Sequence, residues 1–210
     1  MSDPGLRSMS LEGFAEALAA KRPVPGGGAA AALSLANAAA LAEMVVAYSI
    51  GKKALLMHEP RLAEAAKSLS RCRSRAVALI ELDAARYAEL SDSLARPKDD
   101  PTRATAVRDA ALGAVEPPIE VIDLAAQVLG EAADLVRRTS RSLRSDLGVS
   151  GALALAAADG GAWNVRANLP LVGERRPELE RRSGTALARA RDASARLTSE
   201  LESIAAEGAA

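Results

Sequence analysis

Aromatic residues are nearly missing from this chain. One Phe, one Trp and two Tyr make up 2% of 210 residues, although 49% of the sequence is hydrophobic. The apolar content is therefore largely Ala, Leu and Val, whose small side chains let helices approach closely but bury little area each. Burial of a further face against a second subunit follows as an expectation, and with it a homodimer. A single cysteine, Cys72, excludes an internal disulfide, and with one histidine, His58, the chain cannot build a Cys/His metal cluster. Excess charge is missing too: 27 basic and 27 acidic residues give a formal net charge of zero. No global field recruits nucleic acid or an anionic membrane, so neither is an expected partner. A reducing cytoplasm fits this cysteine usage. Met1 to Ser10 lacks the basic and apolar regions of a signal peptide. Ala29–Ile50 is long enough to span a bilayer and carries only Glu43 as a charge, but its Ala richness and its Ser34, Asn37 and Ser49 mark it as a buried central helix.

What the sequence does contain is helical spacing. No stretch alternates as a strand does, so the pattern predicts an all-α fold, a multi-helix orthogonal bundle with long central helices. One domain spans 1–210, with 1–9 as a disordered tail. Ser10 is placed to cap a helix Leu11–Ala20, and Gly51 ends the long helix Ala29–Ile50 just as Lys52 and Lys53 reach its negative end. From Arg61 to Leu94 nothing interrupts a helical pattern. Thr102–Val115 is helical, and Pro117-Pro118 should kink or break it before Ile119–Val136. Asp146 is placed to cap Leu147–Ala158, Asp159-Gly160-Gly161 reads as a turn, and Ala162–Leu171 and Glu178–Glu207 complete the chain.

The rest is organised around Pro23-Val24-Pro25-Gly26-Gly27-Gly28. Two prolines disfavour helix at the residues before them, and three glycines permit backbone angles and close approaches that a Cβ would block. Such an elbow is either a hinge that lets Ala-rich helices pack or, since the next helix starts there, an anion-binding helix N-terminus.

Pro-Val-Pro-Gly-Gly-Gly-Ala-Ala is followed by Ile50-Gly51-Lys52-Lys53, Asp83 with Tyr87, Arg96-Pro97-Lys98, Ser145-Asp146-Leu147-Gly148-Val149 and Asn164-Val165-Arg166-Ala167-Asn168-Leu169. In this order the motifs resemble the cyclodeaminase/cyclohydrolase family, which includes the C-terminal domain of formiminotransferase-cyclodeaminase and stand-alone bacterial methenyltetrahydrofolate cyclohydrolases. The resemblance spans about Leu11 to Leu201. It implies chemistry on folate one-carbon adducts: hydrolysis of methenyltetrahydrofolate to formyltetrahydrofolate, or cyclisation of formiminotetrahydrofolate with loss of ammonia. Both pass through a tetrahedral carbon between two nitrogens and need proton transfer, with a tetrahydrofolate derivative as substrate and no metal or other cofactor.

A carboxylate then has to move the proton. Asp83 interrupts the apolar side of a long helix with Tyr87 one turn later, and burial there should raise its pKa. Its structural alternative is an ion pair with Arg86. Asp146 is the second carboxylate, with a competing role as a helix cap. Lys52, Lys53 and Lys98 are candidates to attract the glutamate tail of a folate, Lys98 also as an electrostatic aid at the reacting nitrogen, although lysines at helix ends commonly have neither role. Pro25, Gly26, Gly27 and Gly28 would cradle the ligand. Asn164 and Asn168, one turn apart, would read the pterin or else satisfy a helix end. His58 reads as a solvated turn residue.

One departure stands out: Thr139-Ser140-Arg141-Ser142-Leu143-Arg144 occupies the place of an asparagine-rich run in the family. Chain length favours a cyclohydrolase, with the cyclodeaminase reaction as the alternative; the altered run supports a third reading, a non-catalytic helical dimer.

Overall fold

A computed structural model describes residues 5–209 of the chain. Within them six α-helices and no strand occur: α1 Leu11–Ala19, α2 Gly27–Ala47, α3 Glu59–Ala95, α4 Arg103–Leu135, α5 Arg144–Asn168 and α6 Arg176–Ala209. The all-α expectation is met. Of the expected disordered tail, residues 1–4 lie outside the described residues, whereas Leu6–Ser8 form a short 3-10 turn and Arg7 lies 3.5 Å from Glu81. Ser10 caps α1, its hydroxyl accepting the Gly13 N–H at 3.0 Å.

The helices run alongside one another rather than crossing at right angles. Between α3 and α4, Arg75 meets Glu120, Gln127 donates to Ser68 and Arg61 meets Asp134, an antiparallel register. Between α4 and α6, Glu116 meets Arg182, Asp123 meets Arg189 and Arg137 meets Glu200, a parallel one. α2 and α5 are antiparallel and close enough for hydroxyls to reach the facing backbone: Ser34 donates to the Leu153 carbonyl at 2.9 Å and Ser150 to that of Ala38 at 2.8 Å. The expected orthogonal bundle is thus corrected to an aligned one. The physical reason is the small residues along α2 and α5, which permit contact over whole helix lengths.

Two expected breaks do not occur. α4 continues through Pro117 and Pro118. Pro118 cannot donate to the Ala114 carbonyl, and Asn168 Nδ2 from α5 donates to that carbonyl instead, at 3.3 Å. α5 likewise continues through Asp159-Gly160-Gly161. Those glycines serve close packing rather than a turn: a Cβ on Gly160 would stand 3.2 Å from the Ala31 Cβ, and one on Gly161 only 2.8 Å from the Pro118 carbonyl oxygen. The glycine stop is corrected as well: α2 ends at Ala47 with Tyr48 as its C-cap, three residues before the expected Ile50, and Gly51 at φ +77° lies in the turn that follows.

α2 is long and apolar enough by length and composition to cross a membrane, yet 56% of that window is buried against the other helices. Ala29, Ala32, Leu35, Ala39, Ala42 and Val46 are fully covered, as the expected central helix requires. Of the four aromatic residues only Phe14 is in the core; Tyr48, Tyr87 and Trp163 are exposed.

Adding one methyl where α4 and α5 touch should be costly. Gly161→Ala is expected to lower stability by about 1–3 kcal/mol through overpacking against the Pro118 carbonyl, read as a lower Tm in thermal melts followed by circular dichroism. Gly130→Ala, where a Cβ meets nothing within 4 Å, is the control and should melt no lower than the wild type.

Candidate functional site

A cavity of about 250 Å³ opens where the N-terminus of α2, the middle of α3 and the C-terminal end of α5 converge. Its wall on one side is the elbow, Gly26, Gly27 and Gly28; Asp83 and Tyr87 come from α3, and Asn164 and Asn168 from α5. Pro23, Val24, Ala114 and Ala167 complete it; the sequence marked Pro23 and Val24 as part of the elbow and Ala167 as part of the Asn164–Leu169 motif, none of them as a ligand-binding residue, and did not mark Ala114. Ala167 lies one helical turn after Asn164, the only spacing signal that pointed to it. Pro25 is buried in the elbow behind this lining, after a cis Val24–Pro25 peptide.

The third glycine of the elbow is the critical one. A Cβ on Gly28 would run into the Asp83 carboxylate, whereas one on Gly27 would stand 3.5 Å from the Asn164 amide, an ordinary contact. Gly26 caps α2 without a side-chain hydrogen bond, so α2 begins with unpaired N–H groups and the positive end of its dipole. Asp83 meets that end from the neighbouring helix. Burial is the larger effect on Asp83 and pushes its carboxyl above the ordinary value of 3.8, while the Ala29 N–H opposes the shift. No cation lines the cavity. Arg86 is engaged with Glu89 at 2.8 Å rather than with Asp83.

Asn164 donates to the Gly160 carbonyl of its own helix at 2.9 Å, and Asn168 to Ala114 as described. Each amide therefore spends one N–H on the fold and keeps its carbonyl oxygen as an acceptor at the cavity. Tyr87 is 46% exposed at the rim.

The remaining candidates are not brought to this cavity within one chain. Lys52 and Lys53 follow the far end of α2, whose 21 residues separate them from the elbow by about 30 Å. Lys52 Nζ donates there to Ser140 Oγ at 2.7 Å. Asp146 sits in the first turn of α5, where its charge suits the helix dipole, but the N-cap position is Leu143, so the expected cap is corrected by three residues. From Asn164, at the cavity, it is separated by about 27 Å along α5. Lys98 is exposed in the loop after α3, about 20 Å beyond Asp83 along that helix. The Thr139–Arg144 run lies beside Lys52 and thus away from the cavity of its own chain. His58 precedes α3 at the same far end.

A larger hollow of about 310 Å³ lies between α4 and α6. Its Arg137, Arg138, Asp134 and Glu200 are already paired with one another or with near neighbours, which leaves no acid free for chemistry. Burial pushes the Cys72 thiol up to about 11, far from a reactive thiolate. Among the described residues no three His, Cys, Asp or Glu are grouped to hold a metal.

A family model described as formiminotransferase-cyclodeaminase matches residues 10–183. Among curated proteins, the methenyltetrahydrofolate cyclohydrolase of Methylorubrum extorquens is 29% identical over 163 residues, 76% of this chain and 78% of that protein. The formimidoyltransferase-cyclodeaminase of Mus musculus is 26% identical over 171 residues, and the match spans only 32% of its length. Among solved structures, formiminotetrahydrofolate cyclodeaminase from Thermotoga maritima shares the fold, with a TM-score of 0.88 over 95% of this chain and 99% of that one at 23% identity. The family model runs from the cap of α1 through the elbow, Asp83 and the Asn164–Asn168 turn into α6, and on that match the chain belongs to the formiminotransferase-cyclodeaminase family.

Proposed function

We propose that this chain is a cytoplasmic folate one-carbon enzyme that hydrolyses 5,10-methenyltetrahydrofolate to 10-formyltetrahydrofolate, as a homodimer and without a metal or redox cofactor. The observation that carries the reading is Asp83: a half-buried carboxyl with a raised pKa, held against the start of α2 in a cavity without a cation. The similarity to a methenyltetrahydrofolate cyclohydrolase along 78% of that protein supports this substrate. Water adds to the carbon between N5 and N10 while Asp83 accepts one of its protons. The tetrahedral carbon then releases N5, Asp83 returns the proton to that nitrogen, and the hydroxyl loses its proton to solvent as the formyl C=O forms. The free carbonyl oxygens of Asn164 and Asn168 suit the N–H donors of a pterin, and Tyr87 at the rim suits its flat face.

The second reading, cyclisation of formiminotetrahydrofolate with release of ammonia, is favoured by the names of the Thermotoga maritima and Mus musculus proteins and uses the same carboxyl. A non-catalytic folate-binding module is the third reading, and the altered Thr139–Arg144 run stands outside the cavity of its own chain.

An absorbance assay separates these readings, because hydrolysis destroys the conjugated methenyl chromophore, and ammonia release reports the alternative. Asp83→Asn should stay folded, bind the folate and turn over about 10²–10⁴-fold more slowly; a variant as fast as the wild type would remove Asp83 from the mechanism. If the wild type exceeds the spontaneous rate with neither adduct, the binding module becomes the better account.

Ionisation carries two further signs. As a base Asp83 must be deprotonated, so kcat/KM should fall as pH drops through its folded-state pKa, above the ordinary 3.8. Because the folded carboxyl keeps its proton to higher pH than the unfolded one, stability is lost as pH rises from the unfolded value through the folded one and is level beyond it. Asp83→Asn lacks this loss. Its Tm relative to the wild type should therefore climb across that window; a constant difference from pH 3 to pH 8 would contradict the assigned shift.

A further inference from the structure

The run Thr139-Ser140-Arg141-Ser142-Leu143-Arg144 ends about 30 Å along α5 from Asn164, and the Asp83 cavity makes no use of it. Its hydroxyls serve the fold. Thr139 Oγ1 donates to the Leu135 carbonyl at 2.8 Å, the Ser140 N–H donates to Ser49 Oγ at 3.1 Å, and Ser140 Oγ accepts from Lys52. Its two arginines are left over: Arg141 and Arg144 form no ion pair among the described residues. With Arg137, Ile204 and Glu207 they line a hollow of about 470 Å³ where the connection from α4 to α5 meets the last turns of α6.

Three guanidinium groups converge on this hollow, and its lining holds one carboxylate. Arg137 grips Glu207 with both terminal nitrogens, at 3.0 and 3.3 Å, while its Nε donates to Glu200 at 2.8 Å. Arg144 is fixed at its Nε, which donates to the Val136 carbonyl at 3.2 Å, and its terminal nitrogens meet no acid among the described residues. Burial is the largest effect on this guanidinium. With repulsion from Arg141 and Arg137 it holds Arg144 below the usual arginine range, against the pull of Glu207. Like charges gathered in a half-buried hollow carry a cost that an anion relieves. Leu143, the N-cap of α5, offers no side chain to the first N–H groups, so the positive helix end stands beside Arg144, partly offset by Asp146 in the first turn.

Glu207 also indicates the class of anion. Its flat, singly charged carboxylate satisfies Arg137 and leaves Arg141 and Arg144 without a salt bridge. An anion that meets all three needs oxygens in several directions and more than one charge. Phosphate has both, and arginine forks match its oxygens in pairs. The volume of the hollow falls within the range of small-molecule sites, about 300–1,000 Å³.

We propose that Arg137, Arg141 and Arg144 form a binding site for a diphosphate group, with Glu207 as an internal stand-in that the ligand displaces from Arg137. The site is separate from the Asp83 cavity and rests on no folate chemistry.

Calorimetric titration with inorganic pyrophosphate, in a fixed chloride background and without divalent metal, tests the site. The wild type should bind one pyrophosphate per chain. Arg141→Ala should weaken binding about tenfold or more, as loss of a hydrogen bond to a charged group does. Lys67→Ala, which removes one exposed charge from α3, should not. Glu207→Gln should bind more tightly than the wild type, a gain that a purely structural arginine cluster would not give. Arg144→Ala also breaks the bond to Val136; where it melts early, the exposed Arg141 decides. Competition by ADP at or below the pyrophosphate concentration identifies the ligand as an esterified diphosphate, and competition only above it identifies the free anion. Asp83→Asn should bind pyrophosphate as the wild type does, whether or not the folate reading holds. No saturable binding, binding that Arg141→Ala leaves unchanged, or a Glu207→Gln variant no tighter than the wild type overturns the proposal. So does equal competition by a γ-linked triglutamate, which would assign the arginines to a carboxylate tail.

Discussion

The Asp83 carboxylate occupies the space where a side chain at position 28 would stand. That exclusion ties three parts of the molecule together: the elbow, which delivers a glycine to the start of α2; α3, which brings the carboxyl there; and α5, whose Asn164 covers the adjacent Gly27. A helix N-terminus normally takes its cap from the residue before it. Gly26 provides no such side chain, and the unpaired end of α2 faces an acid from another helix instead. Water is partly excluded, so the acid holds its proton more tightly than in solution, while the Ala29 N–H limits how far that goes. The same contact closes the packing of α2 on α3 and forms the floor of the cavity.

The cavity's opposite wall depends on a hydrogen bond that the backbone cannot make. Two prolines in α4 remove donors in the middle of a buried helix, and Asn168 of α5 satisfies the Ala114 carbonyl. Gly161 lets the helices meet at this point, since any side chain there would displace the Pro118 carbonyl. A side chain from α5 satisfies a carbonyl that continuous α4 leaves without its backbone donor, and the same bond holds Asn168 at the cavity. Asn168 and Asn164 thus support the fold and line the cavity at once: one N–H of each is bonded to a backbone carbonyl.

α2 has two kinds of small-residue surface. One side is buried to zero exposure by Ala29, Ala32, Leu35, Ala39 and Ala42, whereas on the other Ala30, Leu33, Leu41 and Met44 are half-buried and Asn37 and Tyr48 exposed. Its hydropathy is therefore higher than its own fold consumes. With three of four aromatic residues also on the surface, the chain carries apolar area beyond what its core takes up.

By itself the sequence determined the helical class and marked the elbow and the acid as separate candidates. Apolar spacing, the Ser10 cap and the lack of alternation are local signals, legible residue by residue. Asp83, Tyr87, Asn164 and Asn168 were legible as candidates because polar residues on apolar helix faces need a reason. Local rules failed where a neighbour supplied what the segment lacked. Pro117-Pro118 reads as a break until Asn168 donates across, and Asp159-Gly160-Gly161 reads as a turn until Ala31 and Pro118 are seen pressing on the glycines. Tertiary structure alone decided that Gly28 rather than Gly27 is the indispensable glycine, that Pro23, Val24, Ala114 and Ala167 line the cavity, and that Lys52, Lys53, Lys98 and Asp146 stand far from it in one chain. The reason is geometric: sequence spacing sets which residues share a helix face, but which ends of two long helices meet is set only when the helices pack, here antiparallel through the hydroxyls of Ser34 and Ser150.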